Sequence, residues 1–327
     1  MGVTVVTGAS GHVGANLILA LLARGERPRA LVHHDRRALE GLEVETVGGD
    51  VEDLDSLRRA FEGAEVVYHT AAHISISMHE WKKLAAVNIV GTRNVVQACL
   101  ACGVRRLIHF SSVDALSPRP LDRPVDESSP LVNSRRDMPY GRSKAAGERL
   151  VRKGLGRGLD AVILNPSAII GPHDYRLGFP NAGILAVTNS RLPALIDGGF
   201  DWVDVRDVIA GALQAAARAP SGSRYILSGH WASLHDLAHL AQEISGIRVP
   251  PFTAPMWLAR CCVPFARLLS PLTEGRPLVT SAALKTLTGN RTISHERATR
   301  ELGYEPRPLK ETLVDTTQWF KARGWLP

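Results

Sequence analysis

Residues 5–14 read Val-Val-Thr-Gly-Ala-Ser-Gly-His-Val-Gly, a run that sets a glycine-studded turn directly between an apolar strand and an apolar helix. Val3 to Thr7 have the pattern of a short buried strand, and the apolar residues from Val13 to Leu22 recur at helical spacing. A turn in that position suits the phosphates of a dinucleotide. Gly8 permits the tight turn, Gly11 lets the backbone approach a pyrophosphate, and Gly14 lets the helix pack close to the strand. The free amides and positive dipole end of the helix then face an anion. The spacing, Gly-x-x-Gly-x-x-Gly, is one residue longer than Gly-x-Gly-x-x-Gly.

Outward from this turn, strand-like runs alternate with helical ones. The strands are Arg29 to His33, Val44 to Val47, Val66 to Tyr68, Leu107 to Phe110, Ala161 to Leu164 and Arg224 to Leu227; the helices are Asp53 to Phe61, roughly Met78 to Ala101, and Tyr140 to Lys153. The alternation predicts an α/β fold with a doubly wound parallel sheet covered on both faces. Residues 117–139 carry five prolines and read as a long surface loop before the third of these helices. After Pro166 the rhythm loosens. We therefore expect a dinucleotide-binding domain at 1–165, completed by roughly 200–228, and a smaller, less regular substrate-binding lobe from 166–199 and 229–327.

At 327 residues and 45% hydrophobic, the chain can bury a large core. No signal peptide fits, and no stretch of about 18 uncharged apolar residues offers a membrane span, so the expected location is the cytoplasm. The net charge of +7 comes from scattered arginines without interleaved aromatics, which argues against nucleic-acid binding. Cys99 and Cys102 sit near the end of a helical pattern, where a redox pair would lack the stabilising helix start; they read as structural thiols. Cys261 and Cys262 have no partner at ligand spacing, so no metal site is expected.

Two further features carry chemistry. Tyr140 and Lys144 are four residues apart at the opening of a helix, hence neighbours on one face. A cation so placed favours the phenolate and lowers the tyrosine pKa. Ser111 and Ser112 follow the strand ending at Phe110, placing a hydroxyl at the carboxyl end of the sheet, where open α/β folds bind ligands. At the tip of the second strand stand Val32-His33-His34-Asp35-Arg36-Arg37. An NAD site wants an acid there. Asp35 lies slightly beyond the tip, and Ser10, His33, Arg36 and Arg37 suit a 2′-phosphate, so NADP is expected, with NAD as the alternative.

Glycine turn, strand-end serine and tyrosine-lysine helix, in that order, resemble the extended short-chain dehydrogenase/reductase superfamily, whose cofactor domain is a Rossmann fold. Over nearly the whole chain the resemblance maps Thr7 to Gly14, including His12 and Val13, onto the cofactor motif. Gly49-Asp50-Val51 matches the segment whose Asp reaches the adenine, and His69-Thr70-Ala71-Ala72 the fourth-strand motif beside the cofactor. Asn88 opens an Asn-x-x-Gly-Thr-x-Asn helix whose first Asn supports a proton relay. Asn165-Pro166-Ser167 looks like the segment against the nicotinamide, and Trp202 to Asp207 like a later signature. By resemblance, Tyr140 is the proton donor to a carbonyl, and Lys144 lowers its pKa and holds the ribose. Ser112 orients the substrate oxygen, with Ser111 as the neighbouring alternative. The resemblance also implies a homodimer through the two long helices.

Within the superfamily the chain looks most like the dihydroflavonol-reductase and 3β-hydroxysteroid-dehydrogenase branch, alongside epimerase/dehydratase-like proteins. Ser112-Val113-Asp114 stands where nucleotide-sugar dehydratases carry Thr-Asp-Glu, which disfavours dehydration. The expected activity is hydride transfer between NAD(P) and a ketone or secondary alcohol of a medium-sized, largely apolar small-molecule substrate. Residues 252–272, with Trp257 and Phe265, offer an apolar wall; His73, Met78 and Phe179 are further pocket candidates. A nucleotide-sugar 4-epimerase is the alternative, with Arg176, Arg191 and Arg276 as a diphosphate clamp. A non-enzymatic dinucleotide sensor is the third reading, opposed by the intact Ser112, Tyr140 and Lys144.

Overall fold

Seven strands form one parallel sheet: β1 (Val3–Thr7), β2 (Arg29–Val32), β3 (Glu45–Gly48), β4 (Ala64–His69), β5 (Arg106–Phe110), β6 (Ala161–Pro166) and, much later in the chain, Arg224–Leu227. Their order across the sheet is Arg224–Leu227, β6, β5, β4, β1, β2, β3, so the chain reverses direction across the sheet between β1 and β4, the place where such sheets open a ligand crevice. The computed structural model describes residues 2–189, 194–246, 249–250, 252–261 and 281–326. Every strand expected for the sheet is present, with ends shifted by no more than two residues.

Alternate strand residues face opposite helical layers. Val6, Ile108 and Phe110 pack with Leu17 and Ile18 of helix α1 (His12–Ala23), whereas Val5, Val67 and Leu107 pack with Leu57 and Phe61 of α2 (Leu54–Phe61). All six residues of β6 are buried, as a strand covered on both faces requires. The helix expected from Met78 begins instead at Trp81, because Met78 lies in a turn. It runs to Ala101, interrupted by a π-helical stretch at Ala86–Gly91. By length and composition this helix could cross a membrane, which the sequence reading did not find. Leu84, Val95, Ala98 and Cys99 are fully buried in the core, as a core helix demands. Cys99 is an inert core thiol, pushed up by burial.

The helix Pro139–Leu155 starts on a proline at its first turn, where the missing N–H costs nothing. The proline-rich loop before it is pinned to the C-terminal segment, with Val125 N–H donating to Thr292 O at 2.9 Å and Ser294 N–H to Val125 O at 2.9 Å. Beyond β6 lie elements that were not anticipated: a three-stranded sheet of Ala168–Ile170, Gly199–Asp204 and His230–Ser233, and a two-stranded one of Leu195–Ile196 and Thr253–Ala254. The Trp202-to-Asp207 signature ends one strand and opens the helix Val205–Arg218, whose N-cap Asp204 accepts from Arg206 N–H at 2.7 Å.

Candidate active site

The glycine turn after β1 is a cradle that side chains would fill. Gly8 has φ +68°, and a Cβ there would stand 2.6 Å from the Ala71 backbone; a Cβ on Gly14 would stand 2.2 Å from Gly8 O. Gly11 caps α1 with no side-chain acceptor, and the first turn holds no acid, so its amides stay available to an anion. His12 and Val13 are half-buried in that turn. Ala71, after β4, forms the facing wall, and Ala72 follows it, half-buried. Such a cradle fits the pyrophosphate of a dinucleotide.

At the tip of β2 the expected ribose residues pair among themselves. His33 Nε2 stands 3.3 Å from Asp50 Oδ2, and Ser10 Oγ–H donates to Asp35 O at 2.5 Å. Asp35 takes Arg37 Nε at 3.0 Å and Arg176 Nε at 3.1 Å, and these guanidinium groups, Arg37 first, hold its carboxyl well below the usual range. Arg36 is exposed. Val51 is 6% exposed and packs in the core, its carbonyl accepting Asn94 Nδ2 at 3.0 Å, because the small Gly91 leaves room for it. Arg176, named for a diphosphate clamp only under the alternative epimerase reading, pairs with Asp35 at 3.1 Å.

The second half of the site gathers at the carboxyl end of β5. Ser112 caps a short turn, accepting from Asp114 N–H at 3.1 Å. Helix Pro139–Leu155 docks directly on that turn: a Cβ on Gly141 would meet Asp114 O at 2.2 Å, so only glycine allows the approach. Tyr140 and Ser112 are thereby brought side by side. Of the two serines, Ser112 is the one beside the phenol; the buried Ser111 hydroxyl has no hydrogen-bond partner among the described residues. Pro166 ends β6 and Ser167 follows it, both buried, next to Asn165, whose Nδ2 donates to Ser112 O at 2.8 Å.

Lys144 reaches back to the end of β5. Its Nζ donates to Phe110 O at 2.6 Å, and burial pulls its pKa down to about 8. The Tyr140 phenol is pushed up rather than down, by burial and then by the Asp114 carboxylate, with the Ser112 hydroxyl working against both. The influence of Asp114 on the phenol was not read from the sequence, nor was the pairing of His69, named there only within the fourth-strand motif, with His109. His69 and His109 are partners in the β4–β5 register with ring centroids 5.3 Å apart. His69 is held between Thr7 Oγ1 at 2.8 Å and Thr92 Oγ1 at 3.2 Å, its pKa pulled down to about 3 by burial and by Lys144. A polar residue interrupting each apolar strand was the available signal.

Asn88 lies in the π-helical stretch, whose extra residue per turn re-aims side chains. Its amide brackets His73, accepting from the backbone N–H at 2.8 Å and donating to the carbonyl at 2.9 Å, and donates also to Ser143 Oγ at 2.9 Å. The His73 ring turns to Glu80 at 2.7 Å. Met78 and Trp257 are 45% and 66% exposed, and Phe179 is half-buried at a helix start. A cavity of about 350 Å³ is lined by Asp197, Met256 and Leu287 and by none of these four expected pocket residues. Phe265, Cys262, Arg191 and Arg276 lie outside the described residues.

A family model for the NAD dependent epimerase/dehydratase family matches residues 4–227. Among curated proteins, the chain is 37% identical to sterol demethylase protein B of Methylococcus capsulatus, over 99% of each chain. It is 34% identical to a putative dihydroflavonol 4-reductase of Synechocystis, over 98% of this chain and 95% of that one. Among solved structures, gox2253 superposes with a TM-score of 0.87 at 33% identity, over 99% of both chains.

Proposed function

The chain belongs to the NAD dependent epimerase/dehydratase family, as an oxidoreductase of the extended short-chain type, and from that premise we propose that it interconverts a ketone and a secondary alcohol on a largely apolar, ring-containing substrate. The observation that carries this reading is the meeting of Ser112 and Tyr140 at the carboxyl end of β5, beside the glycine cradle. A nicotinamide bound there supplies or accepts the hydride. Ser112 fixes the substrate oxygen, and Tyr140 delivers its proton to that oxygen or takes it back. A phenol held protonated by its surroundings suits the donor's part in reduction. Lys144, fixed by the Phe110 carbonyl, presents a cation one turn further along the helix.

Relatives named for a sterol and for a flavonol support the apolar substrate. NADP(H) is our reading of the cofactor, because the acid that would take ribose hydroxyls, Asp35, is engaged by Arg37 and Arg176. A sugar-diphosphate substrate finds less support, since Arg176 is committed away from the substrate side. The test compares kcat/KM for alicyclic and aromatic ketones with epimerisation of UDP-glucose, in the wild type and Tyr140→Phe. We expect ketone reduction in the wild type, and in the variant an unchanged cofactor Kd with turnover lowered by about 10²-fold or more. Epimerisation without ketone reduction would overturn the substrate reading, and undiminished turnover would remove Tyr140 from the chemistry.

A further inference from the structure

Residues 171–178 leave the Ala168–Ile170 strand and cross to the cofactor side of the molecule. Pro172 O accepts Asn16 Nδ2 of α1 at 3.0 Å and lies 3.1 Å from His12 Nε2, so the loop rests on the first turns of the helix that follows the glycine cradle. Its conformation is costly. His173 and Leu177 both have positive φ, 60° and 50°, a strain that non-glycine residues bear only where the surroundings impose it, and which gathers at ligand clamps. The imposing contacts are identifiable. Buried Asp174 accepts Gly178 N–H at 2.7 Å and Asn181 Nδ2 at 3.1 Å, while Tyr175 packs edge-on against Trp319, centroids 5.6 Å apart.

What this loop delivers is Arg176. All four acceptor positions of Asp35 are taken: Oδ1 by Arg37 N–H at 3.2 Å and Arg37 Nε at 3.0 Å, Oδ2 by Arg37 Nη2 at 2.9 Å and Arg176 Nε at 3.1 Å. A ribose diol offered to Asp35 would have to displace a guanidinium. A phosphate would not, because the two guanidinium groups outnumber the one carboxylate and keep donors free of hydrogen bonds to the described residues. The Arg176 side chain is 52% exposed and Arg37 60%, so this pairing adds little to stability and its terminal nitrogens are open to a ligand.

Resting on the NADP(H) reading above, we propose that Arg176, carried across from the capping lobe, joins Arg37 in binding the 2′-phosphate of the dinucleotide, with Asp35 aiming both guanidinium groups. The strained loop thus makes recognition of the adenosine end depend on the lobe that also covers the substrate. The test uses adenosine 2′,5′-bisphosphate and adenosine 5′-monophosphate, two probes that differ only in the 2′-phosphate, titrated calorimetrically into the wild type and Arg176→Ala. Arg176→Ala is expected to weaken the bisphosphate about tenfold, the loss of one charge-assisted contact, and the monophosphate less than twofold. Equal weakening of both probes, or of neither, overturns the role of Arg176. Wild-type protein that binds the monophosphate as tightly as the bisphosphate overturns the NADP(H) reading instead, and the probe ratio in Arg176→Ala still reports on Arg176. An unchanged thermal midpoint confirms that the variant folds.

Discussion

Lys144 is 4% exposed and its ammonium titrates near pH 8, well under the ordinary lysine value of 10.5, because burial disfavours the charge while Glu148 restores only part of it. The unfolded chain therefore holds a proton that the folded chain has released between those two values, and stability from this group rises with pH across that window. The gain is on the order of 3 kcal/mol at most. Urea unfolding of the wild type and Lys144→Met at intervals from pH 7.5 to 10.5 isolates it: the wild-type curve should climb relative to the variant. A constant difference would mean that Lys144 keeps a normal pKa. The four-residue spacing of Tyr140 and Lys144 was legible in the sequence; their electrostatics were not. Tyr140 is governed by burial and by Asp114, set against it by the docking of Gly141 on a turn 27 positions earlier in the chain.

The helix Pro139–Leu155 is fixed at its middle by a buried ion pair. Glu148 is fully buried, bonded by Arg224 and, at 3.3 Å, by Asn165 Nδ2. Arg224, 7% exposed, also reaches Glu127 O at 3.0 Å in the proline-rich loop. Arg224→Met would leave the buried carboxylate with only Arg152 Nε and Asn165 Nδ2, each at 3.3 Å, and we expect a loss of about 3–5 kcal/mol in unfolding free energy. Adding Glu148→Gln should recover part of it. An Arg224→Met loss below about 1 kcal/mol would show that the pair is incidental. At this scale the sheet was readable because each strand is an apolar run between breakers. The strands of the three-stranded sheet were not: Ala168–Ile170 and His230–Ser233 are three and four residues long and derive their identity from pairing with Gly199–Asp204. The π-helical stretch left no periodic trace either, since one inserted residue only shifts the phase of the apolar pattern.

Over the whole molecule, segments far apart in the chain are laced by side chains that the sequence could not bring together. Arg206 bridges Asp204 and Asp315, and Arg307 reaches Asp207 Oδ1 at 2.9 Å, tying the end of Gly199–Asp204 to the helix Leu309–Ala322. Chain order and sheet order also diverge. The outer neighbour of β6 in the sheet is Arg224–Leu227, which follows it only after the strands and helices of residues 168–218. On a ribosome adding about 5–20 residues per second, β6 thus waits several seconds with its outer edge bare. An apolar strand with unpaired amides is a template for the wrong partner. Nascent chains stalled near residue 200 should accordingly be captured by a hydrophobic-segment chaperone and cut readily by protease, and chains stalled well past Leu227 should escape both. Equal protection at the two lengths would place the closing of the sheet outside synthesis. The interleaving that closes the sheet in the finished protein makes its birth, second by second, the interval in which it is most exposed to loss.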